Sequence, residues 1–576
     1  MGGLMMNFLL LFALAIPAAL VVVIVLALRR REHVTSAAPG AGTRGVRRFF
    51  QYLLLFALTI LAAVGVADLL GRLFGATTSG GETLALPLSF TLVGLPLACL
   101  IAWWTRRAMR HDPEEAASLW YAVYLTLATW TALIVAMVAL QALLSGALRG
   151  DVNGDALARL VVWGALWALH WRLARPLGDM RGWPHLLVGS LIGLGTAAVS
   201  MGLLLGTSLG ALLLDGPGEL VFGTSGELAR FGAMFITGAL VWVRYWPGAA
   251  ARLPRSTPWL AYVLPVGVGG GLLTALVAAS ILLWQVLVWL VGDHLGLNAR
   301  QHFADSPSAL AFTVVGLLIW WYHGAILAET RRNRSEVRRV YEYLVSALGL
   351  IAASAGVGMV IVAAIESFTP GVDLGMSVVN TLLGAVTLLA VGVPVWWLFW
   401  SRIQRVRADD PVSETASPTR RTYLVLLFGI VGVAAVVALL VAVFVLLQDV
   451  IAGTASAETL RSMRYALGVL VTAAAVSAYH GAVFREDRHV ALPNRPTGPR
   501  SVLLVGAPAP GLALALSRAT GARTQVLVRS DGAAPPWSEE TLIAALHAHP
   551  GEDLLVMGGD PPEVLVLDRE RPHHDA

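Results

Sequence analysis

The chain has 576 residues, of which 57% are hydrophobic and only 13% charged, with a mean hydropathy of +0.71. Charged residues make up about a quarter of soluble domains, so a water-soluble multidomain protein is excluded for most of the length and the main solvent is lipid. The 41 basic residues, all arginine, outnumber 36 acidic ones for a net charge of +5; in so apolar a chain this excess belongs to loops at a membrane surface, not to a nucleic-acid-binding face.

The first apolar run, from about Asn7 to Leu28, has no basic segment before it and Arg29, Arg30 and Arg31 directly after it. It is too long and wrongly flanked for a cleaved signal peptide, and reads as an anchor helix within residues 1–30. Twelve further apolar segments follow, near 49–71, 86–104, 118–144, 157–171, 185–213, 228–246, 259–291, 308–328, 340–366, 376–400, 422–448 and 464–483. A bilayer crossing takes about 20 apolar residues. The expected fold is therefore an all-α polytopic membrane bundle of about 13 transmembrane helices, followed by a small C-terminal α/β cytosolic domain.

Arginine falls on every second loop. One set of loops holds 25, from Arg29 to Arg421, and the alternate set holds seven: Arg72, Arg149, Arg159, Arg230, Arg300, Arg461 and Arg464. Basic loops resist translocation, which puts the rich side in the cytoplasm, the N-terminus outside and the C-terminus inside a bacterial inner membrane. Tryptophans such as Trp103, Trp104, Trp320, Trp321, Trp396 and Trp397 crowd the same side as an interfacial belt. The opposite side is acidic, with thirteen carboxylates against the seven arginines.

Beyond the anchor the chain reads as six hairpins. Their return ends are IAWWTRRAMR, LWALHWRLAR, LVWVRYWPGA, IWWYHGAILA, PVWWLFWSRI and SAYHGAVFRE. Aligned on the aromatics, one position holds Arg106, His170, Arg244, His323, Phe399 and His480. Histidine in every second hairpin makes the unit four helices, repeated over 46–181, 182–335 and 336–488, with a linker at 489–500 and the tail domain at 501–570. Such a period signals duplication and a pseudosymmetric bundle. On the basic-aromatic helix starts (Arg338, Arg339, Tyr341, Tyr343) and Trp-Trp helix ends, residues 46–488 resemble a bacterial polytopic four-helix membrane domain family of unknown function, here in about three tandem copies. The resemblance implies no activity. The middle unit departs from it, with GWPHLLVGSL in place of a basic start.

Two sets of residues are candidates for chemistry. His170, His323 and His480 could converge on a metal or a haem if their helices faced one axis; the simpler reading anchors each at the interface beside Trp or Tyr, bonded to headgroups and water. Asp68, Gln141, Gln285, Glu366 and Asp449 lie toward the outer ends and form a candidate polar vestibule, or else hydrated helix ends. Deeper in the spans stand only isolated Ser, Thr and Asn380. The single Cys99 excludes intrachain disulfides and multi-thiolate metal sites.

In the tail, SVLLVG at 501, TQVLVR at 524, DLLVMG at 553 and EVLVLD at 563 read as strands. PGLALALSRAT and SEETLIAALHAH read as helices, the second capped by Ser538, in the order β-α-β-α-β-β. The turn GAPAPG lacks the glycines of a dinucleotide fold and the lysine of a P-loop. No nucleophile, base and orienting group can be named. The leading expectation is a non-enzymatic scaffold or sensor without a cofactor, whose partners are membrane lipids, with anionic headgroups at the cytoplasmic arginines, and a protein at the tail. The alternatives are a channel or facilitator, and a haem- or metal-binding membrane protein.

Overall fold

The computed structural model describes residues 41–75, 84–151, 153–174, 179–215, 225–294, 296–328, 336–369, 377–490, 498–507, 511–529, 537–559 and 561–567. The anchor expected within residues 1–30 lies outside them. Twelve long helices follow in chain order: α1 (Ala41–Leu73), α2 (Ala85–His111), α3 (Leu119–Leu148), α4 (Gly154–Ala174), α5 (Asp179–Gly210), α6 (Ser225–Tyr245), α7 (Thr257–Val291), α8 (Ser306–Ala328), α9 (Glu336–Phe368), α10 (Val378–Asp409), α11 (Pro418–Ala452) and α12 (Ala457–Arg488). Lipid offers the backbone no hydrogen bonds, so apolar runs of this length have only the helix available.

Among the described residues, eleven helices are long and apolar enough to cross a membrane. The expected count of 13 is reduced at two places. The first segment is not described, and α4 is short and carries Asp155, Arg159, His170 and Arg172, which keep it out of the eleven although it packs against α1 and α3. Contacts divide the chain into two compact units. One comprises the helices up to Ile403 with Gly429–Ser477, the other Gln404–Phe428 with the chain from Ala478 onward.

Glycine sets the helix spacing in three successive hairpins. In α5/α6, a Cβ on Gly193 would stand 2.4 Å from the backbone nitrogen of Trp242, and one on Gly238 would stand 2.5 Å from that of Ala197. In α7/α8 the same reciprocal pair is Gly271 with Trp320 (2.6 Å) and Gly316 with Ala275 (2.6 Å). In α9/α10 it is Gly349 with Trp396 (2.5 Å) and Gly392 with Ala353 (2.5 Å). The outgoing helix thus reads Gly-x-x-x-Ala and the returning one Gly-x-x-x-Trp. Between lipid-embedded helices, where water supplies no driving force, close backbone approach over small residues provides the packing attraction.

These glycines correct the alignment of the return ends. Counted from each return glycine, the position of His323 and Phe399 belongs in α6 to Tyr245, not to Arg244. The ring of Tyr245 covers Gly189 and that of His323 covers Gly267, each closer than 2.5 Å to a would-be Cβ, while Val345 and Phe399 share one buried cluster. The i→i+5 turns at Phe90–Gly94, Ala211–Asp215 and Tyr262–Gly270 widen three helices, the last around Pro265, which has no N–H for the helical ladder.

A second repeated device closes the arginine-rich, or basic, end. The segment Asp112-Pro113-Glu114-Glu115-Ala116-Ala117-Ser118 has a counterpart in Asp410-Pro411-Val412-Ser413-Glu414-Thr415-Ala416-Ser417. In each, an aspartate caps a short helix (Pro113–Ala116 or Pro411–Ala416), a glutamate is buried, and a serine caps the next long helix. Arg47 and Arg48 at the start of α1 both hold Glu115, Arg48 Nε at 2.9 Å.

The tail has the expected order: β1 (Ser501–Gly506), α13 (Leu512–Thr520), β2 (Arg523–Val528), α14 (Glu539–His547), β3 (Asp553–Met557) and β4 (Glu563–Leu567). The sheet runs β2-β1-β3-β4, with β1 parallel to β2 and β3, and β4 antiparallel to β3. Its core is Val502, Leu504, Leu516, Leu542, Leu546, Leu554 and Val556. Ser538 Oγ accepts from Thr541 N as the cap of α14. Trp537 packs on Gly506 and donates its indole N–H to Ala507 O (2.8 Å), at the end of β1 where an open parallel sheet would receive a phosphate.

Candidate functional site

The three histidines are enclosed by protein. His170, His323 and His480 are 2%, 0% and 1% exposed, so protein surrounds the rings that the sequence places among headgroups and water. His170 Nδ1 lies 2.8 Å from Leu166 O and His323 Nδ1 lies 2.9 Å from Ile319 O. A carbonyl only accepts, so each Nδ1 carries the proton and Nε2 is the acceptor. The Tyr124 hydroxyl donates to His170 Nε2 at 3.0 Å.

Each histidine also meets a tyrosine from the preceding long helix, edge to face. The pairs are Tyr124–His170 (5.6 Å, 65°), Tyr262–His323 (5.8 Å, 64°) and Tyr423–His480 (5.9 Å, 69°). The same geometry three times is what duplication of a helix pair would leave. Among the described residues, no group of three or more His, Cys, Asp or Glu is arranged to hold a metal ion.

The five residues of the candidate vestibule lie on α1, α3, α7, α9 and α11. Gln285, Glu366 and Asp449 are each held by a named neighbour. Ser306 Oγ donates to Gln285 Oε1 (2.6 Å), Arg464 Nε pairs with Glu366 (2.8 Å), and Thr459 Oγ1 donates to Asp449 Oδ2 (2.5 Å). Asp68 and Gln141 are half-buried on α1 and α3. Asn380, isolated in the sequence, clasps the α7–α8 connection by accepting from Asp293 N (2.9 Å) and donating to Asp293 O (2.7 Å). Sequence reasoning left it without a role because its partner lies 87 positions away.

A further cluster gathers where α4 meets α5 and α6. The Trp171 ring has the Arg244 guanidinium 4.0 Å from its centroid, Tyr245 edge-on at 4.7 Å and His185 at 4.8 Å. Trp167 donates its indole N–H to the Tyr245 hydroxyl at 2.8 Å. His185 is buried, and among the described residues neither of its ring nitrogens has a hydrogen-bond partner. The sequence signals for this cluster are the Trp-x-x-x-Trp of α4, which reads as part of the interfacial belt, and the His of GWPHLL, to which the sequence assigns no role, because burial is not visible in spacing.

Residues 48–158 and 339–475 match the signature of a domain of unknown function, DUF5671. The match is made in two separate stretches, which is consistent with a repeated domain. The matched DUF5671 stretches run from α1 into α4 and from α9 into α12, the helices with basic-aromatic starts and the Asp-Pro segments. The helices α5–α8 fall between the two, where the basic start is missing. No curated protein and no solved structure matches the chain. The repeated domain and the eleven candidate spans make this a multi-pass membrane protein.

Proposed function

We propose that the protein is a non-enzymatic membrane scaffold or sensor. In this reading three duplicated four-helix units, 46–181, 182–335 and 336–488, hold the tail domain at the cytoplasmic face of a bacterial inner membrane, where it meets a protein partner. The observation that carries it is the Glu366–Arg464 pair, which joins α9 to α12 at 2.8 Å. A carboxylate neutralised by an arginine braces two helices; it is poorly suited to attract a passing cation. Ser306 on Gln285 and Thr459 on Asp449 support the same use of polar groups.

Flux separates this reading from a channel. In proteoliposomes, Glu366→Gln should lower the melting temperature while cation uptake stays at the level of empty vesicles for both proteins. Wild-type uptake that Glu366→Gln abolishes would make the protein a channel instead. Orientation is tested in a Cys99→Ala background, with Thr454→Cys labelled by an impermeant maleimide on whole cells and Glu114→Cys labelled only after permeabilisation. The reverse pattern would place the basic end outside.

A further inference from the structure

The strands of the tail are apolar on both faces, but its helices bury only one of them. Val502 and Leu504 on β1, Leu554 and Val556 on β3, and Val526 and Val564 on the edge strands pack against Leu512 and Leu516 of α13 and Leu542 and Leu546 of α14. Both helices therefore lie on the same side of the sheet. The alternate residues form the opposite face, with Leu503, Val505, Leu555 and Met557 at its centre, and neither helix covers it. Parallel strands of this composition are covered on both faces in folded proteins.

The register fixes the four corners of this open face. Arg523 and Leu567 end the row through Ser501 and Asp553, while Leu527 and Glu563 end the row through Val505 and Met557. The two charges thus stand at diagonally opposite corners, and the two leucines at the others. Leu527 and Leu567 are 45% and 44% exposed. Arg523 and Glu563 are exposed too, and among the described residues no ion pair holds either. Three strand spacings of about 4.8 Å and four residue steps of about 3.3 Å make the face nearly square, about 14 by 13 Å.

A square with such corners is complementary to itself. Turning a second copy by a half-rotation about the diagonal from Leu527 to Leu567 lays face on face. Each corner leucine then meets its own counterpart, the central residues meet one another, and each Arg523 faces the partner's Glu563. The strands of the two sheets cross near a right angle, one of the two ways in which sheets stack. A surface made for anionic lipid would gather arginines, whereas this rim balances one charge with the other.

We propose that the open sheet face of the tail docks on the same face of a second copy of this chain, about a twofold axis along the Leu527–Leu567 diagonal. The second copy is then the protein partner of the tail, and this rests on the reading above that the tail has one. The face covers roughly 200 Å² in plan, against about 800 Å² per partner in a stable soluble dimer. Contact therefore depends on both bundles sharing one bilayer, where tethering raises their effective concentration.

The test accordingly uses the full-length chain in permeabilised membranes, on a Cys99→Ala background, with a bis-maleimide of about 10 Å reach, the spacing of stacked sheets. Leu527→Cys should join two copies. Arg523→Cys alone should not, because its counterpart lies roughly 20 Å away across the diagonal. Arg523→Cys combined with Glu563→Cys should, and the same distance prevents a link within one chain. Leu514→Cys, 57% exposed on α13, is the control for chance collision. With Leu527→Cys as reporter, Arg523→Glu and Glu563→Arg should each lower the yield about tenfold, since symmetry turns two attractions into two repulsions. Together they should restore it. Leu527→Cys dimers no more abundant than those of Leu514→Cys would overturn the proposal, and so would a charge swap that fails to restore the yield. Access to a maleimide dye then separates the two readings. An uncrosslinked Leu527→Cys that resists the dye overturns the second copy and leaves the tail a partner of another kind; one that reacts freely overturns both.

Discussion

Alanine at Gly271 or at Gly316 is expected to destabilise the protein by about 2 kcal/mol each, read as a lowered melting temperature in mild detergent. The reason lies in what the new methyl group would touch. At Gly271 it would stand 2.6 Å from Trp320 N and 2.9 Å from Gly316 O; at Gly316, 2.6 Å from Ala275 N and 2.7 Å from Gly271 O. Those are backbone atoms of the facing helix, and no rotamer change can move them, so α7 and α8 must separate and lose contact along their length. Gly429→Ala is the control, since a Cβ there meets nothing within 4 Å. It should be neutral or stabilising by up to about 1 kcal/mol, the helix-propensity difference between glycine and alanine. Because Gly271 and Gly316 touch the same gap, the double variant should cost less than the sum of the two singles. Equal melting of Gly271→Ala and Gly429→Ala would remove the close-packing account of all three hairpins.

The glycine pattern shows which parts of this fold are legible in its sequence. Helix existence was, because lipid leaves an apolar backbone segment no alternative, and so was the order of the tail, where Val and Leu alternate over short runs and Ser538 caps a helix. The recurrence Gly238-x-x-x-Trp242, Gly316-x-x-x-Trp320 and Gly392-x-x-x-Trp396 was legible too, yet tryptophan drew the reading toward the interface. Alignment on aromatics then put Arg244 where Tyr245 belongs. Burial was not legible: His170 and Tyr124 come from different helices, and only the crossing of α3 and α4 turns a belt histidine into a hydrogen-bonded core residue. Nor were the clamps. Glu366 and Arg464 each look like a hydrated helix end alone, and their pairing depends on the register of α9 against α12, which no local pattern specifies.

Asp487→Asn is expected to cost about 3 kcal/mol, the low end for breaking a buried ion pair by removing one partner. Asp487, near the end of α12, accepts from Arg420 through Nε (2.5 Å) and Nη2 (3.1 Å), and forms an ion pair with Arg407, whose Nε lies 3.0 Å away. One carboxylate thus ties the basic ends of α10, α11 and α12 together. Arg420 is 0% exposed, so its guanidinium keeps its full charge in a site that water does not reach when the carboxylate is replaced by an amide. Shape is preserved by the substitution, and the loss is electrostatic. Arg407 is better hydrated, and its second partner, Glu486, is exposed; screening makes that outer contact worth little. Two comparisons isolate the effect. Arg485→Gln, at an exposed position on the same turn of α12, should change stability by no more than about 0.5 kcal/mol. Arg407→Gln should be less damaging in the Asp487→Asn background than in wild type, because the two residues interact directly and their effects cannot add. A melting temperature for Asp487→Asn equal to that of wild type would show that the clamp does not hold the helix from which the tail domain departs.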